Sequence, residues 1–291
     1  MSSTSSFGVI VRVLVAMLSF QAGASIAKRL IPLVGSPGTT TLRLAISALI
    51  LCVVQRPWRA VPSRSAVPVI LAYGIALGTM NFVFYLALKT IPLGIAVGLE
   101  FTGPLAVALA GSRRRVDLVW LAFAVAGLLC LVPIRTAGVR IDPAGVGWAL
   151  AAGACWALYI IYGQKAGRAH GSTATTWGML VAAIVVAPIG VWQAGGALVS
   201  KEILPRGAAI AILSSALPYS LEMTALRRLT ARLYGTLMSL EPAVAALAGL
   251  GLLQERISPL QWLGIAAVMM ASVGALGREP VRTDHGPGPQ I

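Results

Sequence analysis

Apolar runs of about 20 residues, separated by short polar stretches, recur along the whole chain. A helix of about 20 residues crosses a hydrocarbon layer of about 30 Å with its backbone hydrogen bonds closed internally. We cut the chain at charged clusters, prolines and glycines. The pattern then predicts ten transmembrane helices, at about residues 8–30, 37–55, 66–88, 92–111, 116–134, 143–163, 173–193, 205–227, 231–253 and 259–277, before a tail that we expect to be disordered.

The composition agrees with an all-α membrane protein. Hydrophobic residues make up 57% of the 291 residues and charged residues 11%, and the mean hydropathy is +0.84. A soluble domain of this length would carry far more surface charge. The net charge of +14 comes from Lys and Arg scattered in small groups between the apolar runs, without the basic stripe typical of nucleic-acid binding. We therefore expect a lipid bilayer, and no nucleic acid, around this chain.

Neither a metal site nor a cofactor site is expected. The three cysteines lie inside apolar runs, where a free thiol behaves as a small hydrophobe, and the two histidines are His170 in a loop and His285 in the tail. The sequence also contains no phosphate-binding glycine loop ending in Lys-Ser or Lys-Thr, so it does not use ATP by that route.

The basic residues predict the orientation. If the N-terminus is cytoplasmic, the inner loops hold thirteen Lys and Arg residues and the outer loops eight. Cytoplasmic loops carry the excess of positive charge, so both termini are expected in the cytoplasm of a bacterial-type inner membrane.

The two halves of the chain resemble each other. At an offset of 138 residues, the segment 87–89 matches 225–227 and Pro104 matches Pro242, and Ala-Gly-Ala at 22–24 recurs at 152–154 with an offset of 130. Each half holds five predicted helices, and an odd number makes the second copy enter the membrane from the opposite side. We therefore predict two inverted five-helix repeats, 1–138 and 139–277, followed by the tail 278–291, an architecture typical of secondary transporters.

Small residues recur at helical spacing within the runs. Ala-Gly-Ala at 22–24, the pair Gly74 and Gly78, and the pair Gly94 and Gly98 are examples. Such residues let the backbones of membrane helices approach closely. We expect these positions to be helix contacts.

One acidic residue lies near the middle of the fourth run, "PLGIAVGLEFTGPLAVALAG". A carboxylate at the bilayer centre costs at least about 2.5 kcal/mol, so Glu100 is expected to face protein or water. It is a candidate for binding a proton or a substrate ammonium group, and a purely structural buried carboxylate is the alternative. Glu222 and Glu241 are further proton-coupling candidates, in the eighth and ninth runs.

Two prolines accompany these acids. Pro104 follows Glu100 by four residues, and Pro242 follows Glu241 directly. A proline removes one backbone donor and frees a carbonyl four residues earlier. Both are therefore candidate helix breaks that offer polar backbone at depth.

Arg43 lies inside the second run and cannot lose its charge. Three environments would accommodate it: an ion pair with Glu100, the carboxylate of an amino-acid substrate, or the membrane interface reached by snorkelling.

Other polar and aromatic side chains can line a small wet cavity between the helices. Asn81 and Tyr85 share one helical face, Gln21 and Ser25 form a similar pair, and Tyr219 of the second half aligns with Asn81 in the repeat. Trp156 and Tyr159 are candidate walls. Each of these side chains alone is also compatible with an ordinary interhelical contact.

Three stretches carry a family resemblance: "AMLSFQAGASIAKRLIPLVGSPGTTTLRL", "MNFVFYLALKTIPLGIAVGLEFTGPLAVAL" and "LPYSLEMTALRRLTARLYGTLMSLEPAVAALAGLGLLQERIS". Over nearly its whole length the chain resembles the drug/metabolite transporter superfamily, and within it the threonine and homoserine exporter group of EamA-type carriers. The resemblance implies ten helices in two inverted repeats and export of small polar metabolites.

These observations favour a secondary transporter for small amino acids, acting as a monomer by alternating access with proton antiport. An uncoupled facilitator, and an exporter of aromatic amino acids, other metabolites or drugs, remain alternatives. A membrane-embedded enzyme is disfavoured, because the sequence has no HExxH or GxSxG motif and no acid pair at helical spacing.

Overall fold

The computed structural model describes residues 3–110, 117–131, 142–218, 221 and 237–276. Every regular element in these ranges is helical, and none of them contains a strand. The predicted all-α fold class is therefore confirmed. The α-helices within these ranges are α1 (Ser3–Gln55), α2 (Val67–Leu88), α3 (Leu93–Glu100), α4 (Thr102–Ala110), α5 (Asp117–Leu131), α6 (Pro143–His170), α7 (Ala174–Ala194), α8 (Ile203–Ala211), α9 (Glu241–Leu253) and α10 (Pro259–Leu276).

Among the residues that the structure describes, four stretches are long and apolar enough to cross a bilayer: Ile10–Gln55, Val67–Leu88, Pro143–His170 and Ala174–Val199. Five shorter apolar helices accompany them. Large apolar side chains cover the outside, and Trp192, Val53 and Leu129 are each more than 70% exposed. Such a surface is stable against lipid and unfavourable against water, which agrees with a membrane protein.

Helix α1 joins the first two predicted spans across a kink. Gly35 has φ 73° and ψ 167°, a conformation that a residue with a Cβ rarely adopts. Pro32 and Pro37 flank it. We name the segments on either side α1a (3–34) and α1b (36–55).

The fourth predicted span is interrupted in its middle. Helix α3 ends at Glu100 and α4 begins at Thr102, two residues before Pro104. A similar interruption lies at residues 239–240, where a turn precedes the first residue of α9, Glu241, and Pro242 occupies the first turn. Proline is well suited to the first turn of a helix, because the N–H it lacks would have no helical partner there.

The halves of the chain pack against each other through small residues. Helix α2 lies on α6 and α7, α1b on α7, α3 on α9, and α5 on α10. A Cβ on Gly78 would lie 3.0 Å from the Cα of Ala182, and one on Gly94 would lie 2.6 Å from the Cα of Ala246. The predicted role of these glycines as helix contacts is confirmed.

The contact between α5 and α10 is reciprocal. A Cβ built on Gly127 would meet the carbonyl oxygen of Gly264 at 2.8 Å, and a Cβ on Gly264 would meet that of Gly127 at the same distance. The two helices therefore approach backbone to backbone. No other residue type fits at either position without displacing one helix.

Candidate functional site

A cavity of about 210 Å³ lies between the halves of the chain. Its walls come from α1a, α1b, α2, α3, α6, α7, the segment after α8 and the start of α9. Ligand pockets usually measure about 300–1,000 Å³, so this cavity suits a small solute.

Three charged side chains of the described residues line the cavity. Glu100 is the last residue of α3, Glu241 is the first residue of α9, and Arg43 comes from α1b. Each is at most 8% exposed. The positive end of the α9 dipole favours the carboxylate of Glu241, which also accepts a hydrogen bond from the amide of Gln21 at 3.4 Å.

Arg43 is held by aromatic groups. Its Nη1 donates to the hydroxyl of Tyr85 at 3.3 Å, and its guanidinium lies 5.0 Å from the ring centroid of Phe20 and 5.7 Å from that of Tyr85. Within the described residues, Arg43 forms no ion pair with Glu100. Cation–π contacts and one phenol hold the guanidinium in place, and they leave its other N–H groups available to the cavity.

The structure brings many of the predicted site residues together. Asn81, Trp156 and Tyr159 line the same cavity as Glu100 and Arg43. The Asn81 amide donates to the carbonyl of Leu77 at 2.9 Å, which leaves its oxygen as an acceptor. Trp156 packs edge to face on Phe101, the residue between α3 and α4.

Other predicted residues lie elsewhere. Tyr85 is fully buried behind Arg43, and Gln21 is fully buried between α1a and Glu241. Ser25 donates to the carbonyl of Gln21, one turn earlier in its own helix, so its hydroxyl does not reach the cavity. Pro104 and Pro242 lie at the two helix interruptions and are not among the cavity-lining residues. Tyr219 and Glu222 lie outside the described residues, as does the tail 278–291.

Sequence reasoning missed two serines in the cavity wall. Ser214 and Ser215 lie on a π-helical segment, Ile212–Ala216, that continues α8. They are each 3% exposed. A serine in an apolar run resembles any other helix-packing residue, and only its neighbour Pro218 signalled an irregular backbone.

The π-helical segment has a traceable cause. The N–H of Leu217 donates to Ile212, five residues earlier, and Pro218 has no N–H with which to continue the pattern to Leu213. The hydroxyl of Ser19 donates to the carbonyl of Leu213 at 2.7 Å instead. Single π-turns of this kind occur often at functional sites.

A second polar cluster joins the ends of several helices. The Nζ of Lys28 lies 2.7 Å from the carboxylate of Glu255 and donates to the carbonyl of Ile91 at 2.5 Å. The same carboxylate accepts the N–H of Leu93 at 2.7 Å. We name these four residues the Lys28–Glu255 junction. It ties α1a to the α2–α3 loop and to the α9–α10 loop.

Comparison with known proteins gives a family and close relatives. The model of the EamA-like transporter family matches residues 143–277. The threonine/homoserine exporter RhtA of Escherichia coli (strain K12) is 53% identical over 266 residues, covering 91% of this chain and 90% of that protein. The protein of the same name from Salmonella typhimurium (strain SL1344) is also 53% identical, covering 92% of each.

Two more distant proteins are also similar to this chain. The uncharacterized transporter YwfM of Bacillus subtilis (strain 168) is 30% identical, covering 70% of this chain and 71% of that protein. A protein of known crystal structure shares the fold with a TM-score of 0.59 at 19% identity, over 95% of this chain and 99% of that one.

Proposed function

This chain belongs to the EamA-like transporter family, and from that premise we propose that it exports threonine, homoserine and similar small amino acids from the bacterial cytoplasm by alternating access. The named relatives are threonine/homoserine exporters that it matches over nine-tenths of both chains. The function is carried by one observation of the structure: two carboxylates and a guanidinium, all buried, line one amino-acid-sized cavity.

The charges of this cavity complement a zwitterion. Glu100 and Glu241 offer acceptors for the substrate ammonium, and the planar guanidinium of Arg43 suits a carboxylate held by two parallel hydrogen bonds. Of the three environments open to Arg43, the substrate carboxylate has the best support, because the side chain is turned into the cavity and makes no ion pair with Glu100.

The proposed architecture is ten spans in two inverted repeats, 1–138 and 139–277, in a monomer. The packing between the halves supports a two-fold relation, because several of its contacts have a counterpart. Helix α2 packs on α6 as the π-helical segment after α8 packs on α1a, and α2 packs on α7 as α8 packs on α1b. The contacts of α5 with α10, α3 with α9 and α1b with α7 each join a pair of equivalent spans. The reciprocal contact of Gly127 and Gly264 is what a local two-fold axis would produce.

The Lys28–Glu255 junction supports an outward-closed state. With both termini in the cytoplasm, this junction lies at the outer ends of its helices. The first turn of α3 lies between the junction and Glu100. Its residues Leu93, Ile95 and Ala96 are fully buried in the packed core. The cavity extends the other way, toward Met179 near the cytoplasmic start of α7. Export then requires the junction to open.

Proton antiport is the proposed energy source. Glu100 binds either a proton or the substrate ammonium, so the two cargoes exclude each other and cross in opposite directions. A proton gradient directed inward then drives the amino acid out. An uncoupled facilitator would use the same cavity without this exchange.

The function is tested by transport in proteoliposomes that contain the purified protein. We expect saturable uptake of radiolabelled threonine, competed by homoserine and weakly competed by aromatic amino acids, because the cavity is small. Protein-free liposomes are the control. Uptake equal to that of the control, or preference for a non-zwitterionic drug, would reject the proposed function.

The role of Arg43 is tested in the same vesicles. Arg43→Lys keeps the charge but loses the planar pair of donors, so the KM for threonine is expected to rise at least about tenfold. The matched control is Arg206→Lys, on the exposed side of α8. An unchanged KM in the Arg43 variant would remove Arg43 from the binding site.

A further inference from the structure

We propose that Ser215 reads the side-chain hydroxyl of the substrate and thereby selects hydroxylated amino acids. The inference rests on the proposed function and names a specificity residue within it. Its starting point is the pair formed by Ser215, on the π-helical segment, and Ser47, on α1b, whose hydroxyl oxygens lie 2.8 Å apart.

The direction of this hydrogen bond follows from burial. Two hydroxyls carry two protons, and one bond between them uses one proton. Ser47 is fully buried and has no other side-chain hydrogen bond in the described part of the chain, while Ser215 lines the cavity. If Ser215 donated, the proton of Ser47 would be buried without an acceptor, which is costly. Ser47 therefore donates, and the proton of Ser215 is directed to the cavity.

The neighbouring serine complements this donor. The hydroxyl of Ser214 donates to the carbonyl of Ile210 at 2.6 Å, so it can only accept from a ligand. Ser214 and Ser215 thus present one acceptor and one donor side by side. A substrate hydroxyl both donates and accepts, and it can satisfy both serines at once.

The position of the pair fits an amino acid bound at Arg43. Ser47 follows Arg43 by four residues on α1b, so the two side chains lie on one helix face about 6 Å apart along the axis. A substrate whose carboxylate lies on Arg43 extends its side chain one helical turn further, to Ser215. An aliphatic side chain in that place would leave the serine proton unpaired, and such sites reject analogues that lack the hydroxyl.

The π-helical segment is held rigidly in this position. Ser19 satisfies the carbonyl of Leu213, and a Cβ on Gly23 would lie 3.1 Å from the Cβ of Ser214. Helix α1a therefore packs directly on the segment and fixes both hydroxyls before a substrate arrives. Fixed donors discriminate better than mobile ones, because little ordering is required on binding.

The test compares threonine and homoserine with 2-aminobutyrate, which lacks the hydroxyl of both. In proteoliposomes, Ser215→Ala is expected to raise the KM for threonine and homoserine about threefold to tenfold and to leave that for 2-aminobutyrate unchanged. Ser47→Ala breaks the interhelical bond but keeps the Ser215 hydroxyl, so it should retain the preference for threonine. Ser272→Ala is the matched control, because it breaks another buried hydroxyl pair, with Ser239 at 2.8 Å, outside the cavity wall.

Each outcome decides a different point. If Ser215→Ala and Ser47→Ala impair all three substrates equally, the pair only joins two helices and the inference is overturned. If Ser215→Ala changes no KM, the inference is overturned as well. If the wild-type protein transports 2-aminobutyrate but neither hydroxylated amino acid, or transports none of the three, the proposed function itself is rejected.

Discussion

Glu100 occupies the point where the interrupted span changes from α3 to α4. It is 8% exposed, and that exposure is to the cavity. Within the described part of the chain the carboxylate forms no ion pair, and burial of a carboxylate without an ion-pair partner is expensive. A proton or an ammonium group removes this cost, which is the physical basis of the proposed exchange.

We expect Glu100 to couple threonine efflux to the proton gradient. Glu100→Gln keeps the shape of the side chain but cannot bind and release a proton, so an imposed pH gradient should no longer accelerate threonine efflux from proteoliposomes. The exposed Glu202→Gln is the matched control and should respond like the wild type. Undiminished stimulation by the gradient in Glu100→Gln would show that coupling lies elsewhere.

The sequence was sufficient to single out charged residues in the middle of apolar runs as site candidates. A charge in lipid has a high free-energy cost, so such a residue needs a partner or a cavity. Glu100, Arg43 and Glu241 stood out for this reason, and the structure brings them to one cavity. Ser214 and Ser215 did not stand out, since a buried serine usually bonds to its own helix, as Ser25 does. Whether a polar side chain on a helix faces the cavity or a neighbouring helix depends on how the helices pack, which one sequence does not show.

At the level of helices, the interruptions shape the site. Pro104 follows the end of α3, Pro242 lies at the start of α9, and Pro218 follows the π-helical segment. At Pro218 the missing N–H leaves the carbonyl of Leu213 to be satisfied by another group, whereas Pro104 and Pro242 lie in the first turn of a helix, where that N–H would have no helical partner. The prolines were visible in the sequence, but whether each produced a full break, a turn or a π-turn depended on neighbours such as Ser19.

We expect the Lys28–Glu255 junction to open and close during transport. In a protein whose native Cys52, Cys130 and Cys155 are replaced by Ala, cysteines at positions 28 and 255 should be joined by a short bifunctional thiol reagent. Transport should then fall to the level of protein-free vesicles and recover after the reagent is cleaved. Each single cysteine, treated alike, is the control. Full transport with complete cross-linking would show that these ends stay together throughout the cycle.

For the whole molecule, hydropathy alone was sufficient to predict an all-helical membrane protein. Segment positions also agreed, as with α7 (174–194 against 173–193) and α10 (259–276 against 259–277). Helix α6 extends seven residues beyond its predicted end at 163, because polar residues such as Gln164 and Lys165 continue the helix past the apolar run. The cavity arises only when both halves pack together, so its wall could not be read from either half alone.

The central claim is that the amino acid crosses through the cavity between the halves. It is tested most directly by substrate protection of a cysteine at Met80, a lining residue, in the protein without native cysteines. Threonine is predicted to slow labelling of Met80→Cys by a bulky maleimide, and the labelled protein should no longer transport threonine. Labelling at the same rate in saturating threonine, or undiminished transport by the labelled protein, would contradict the account.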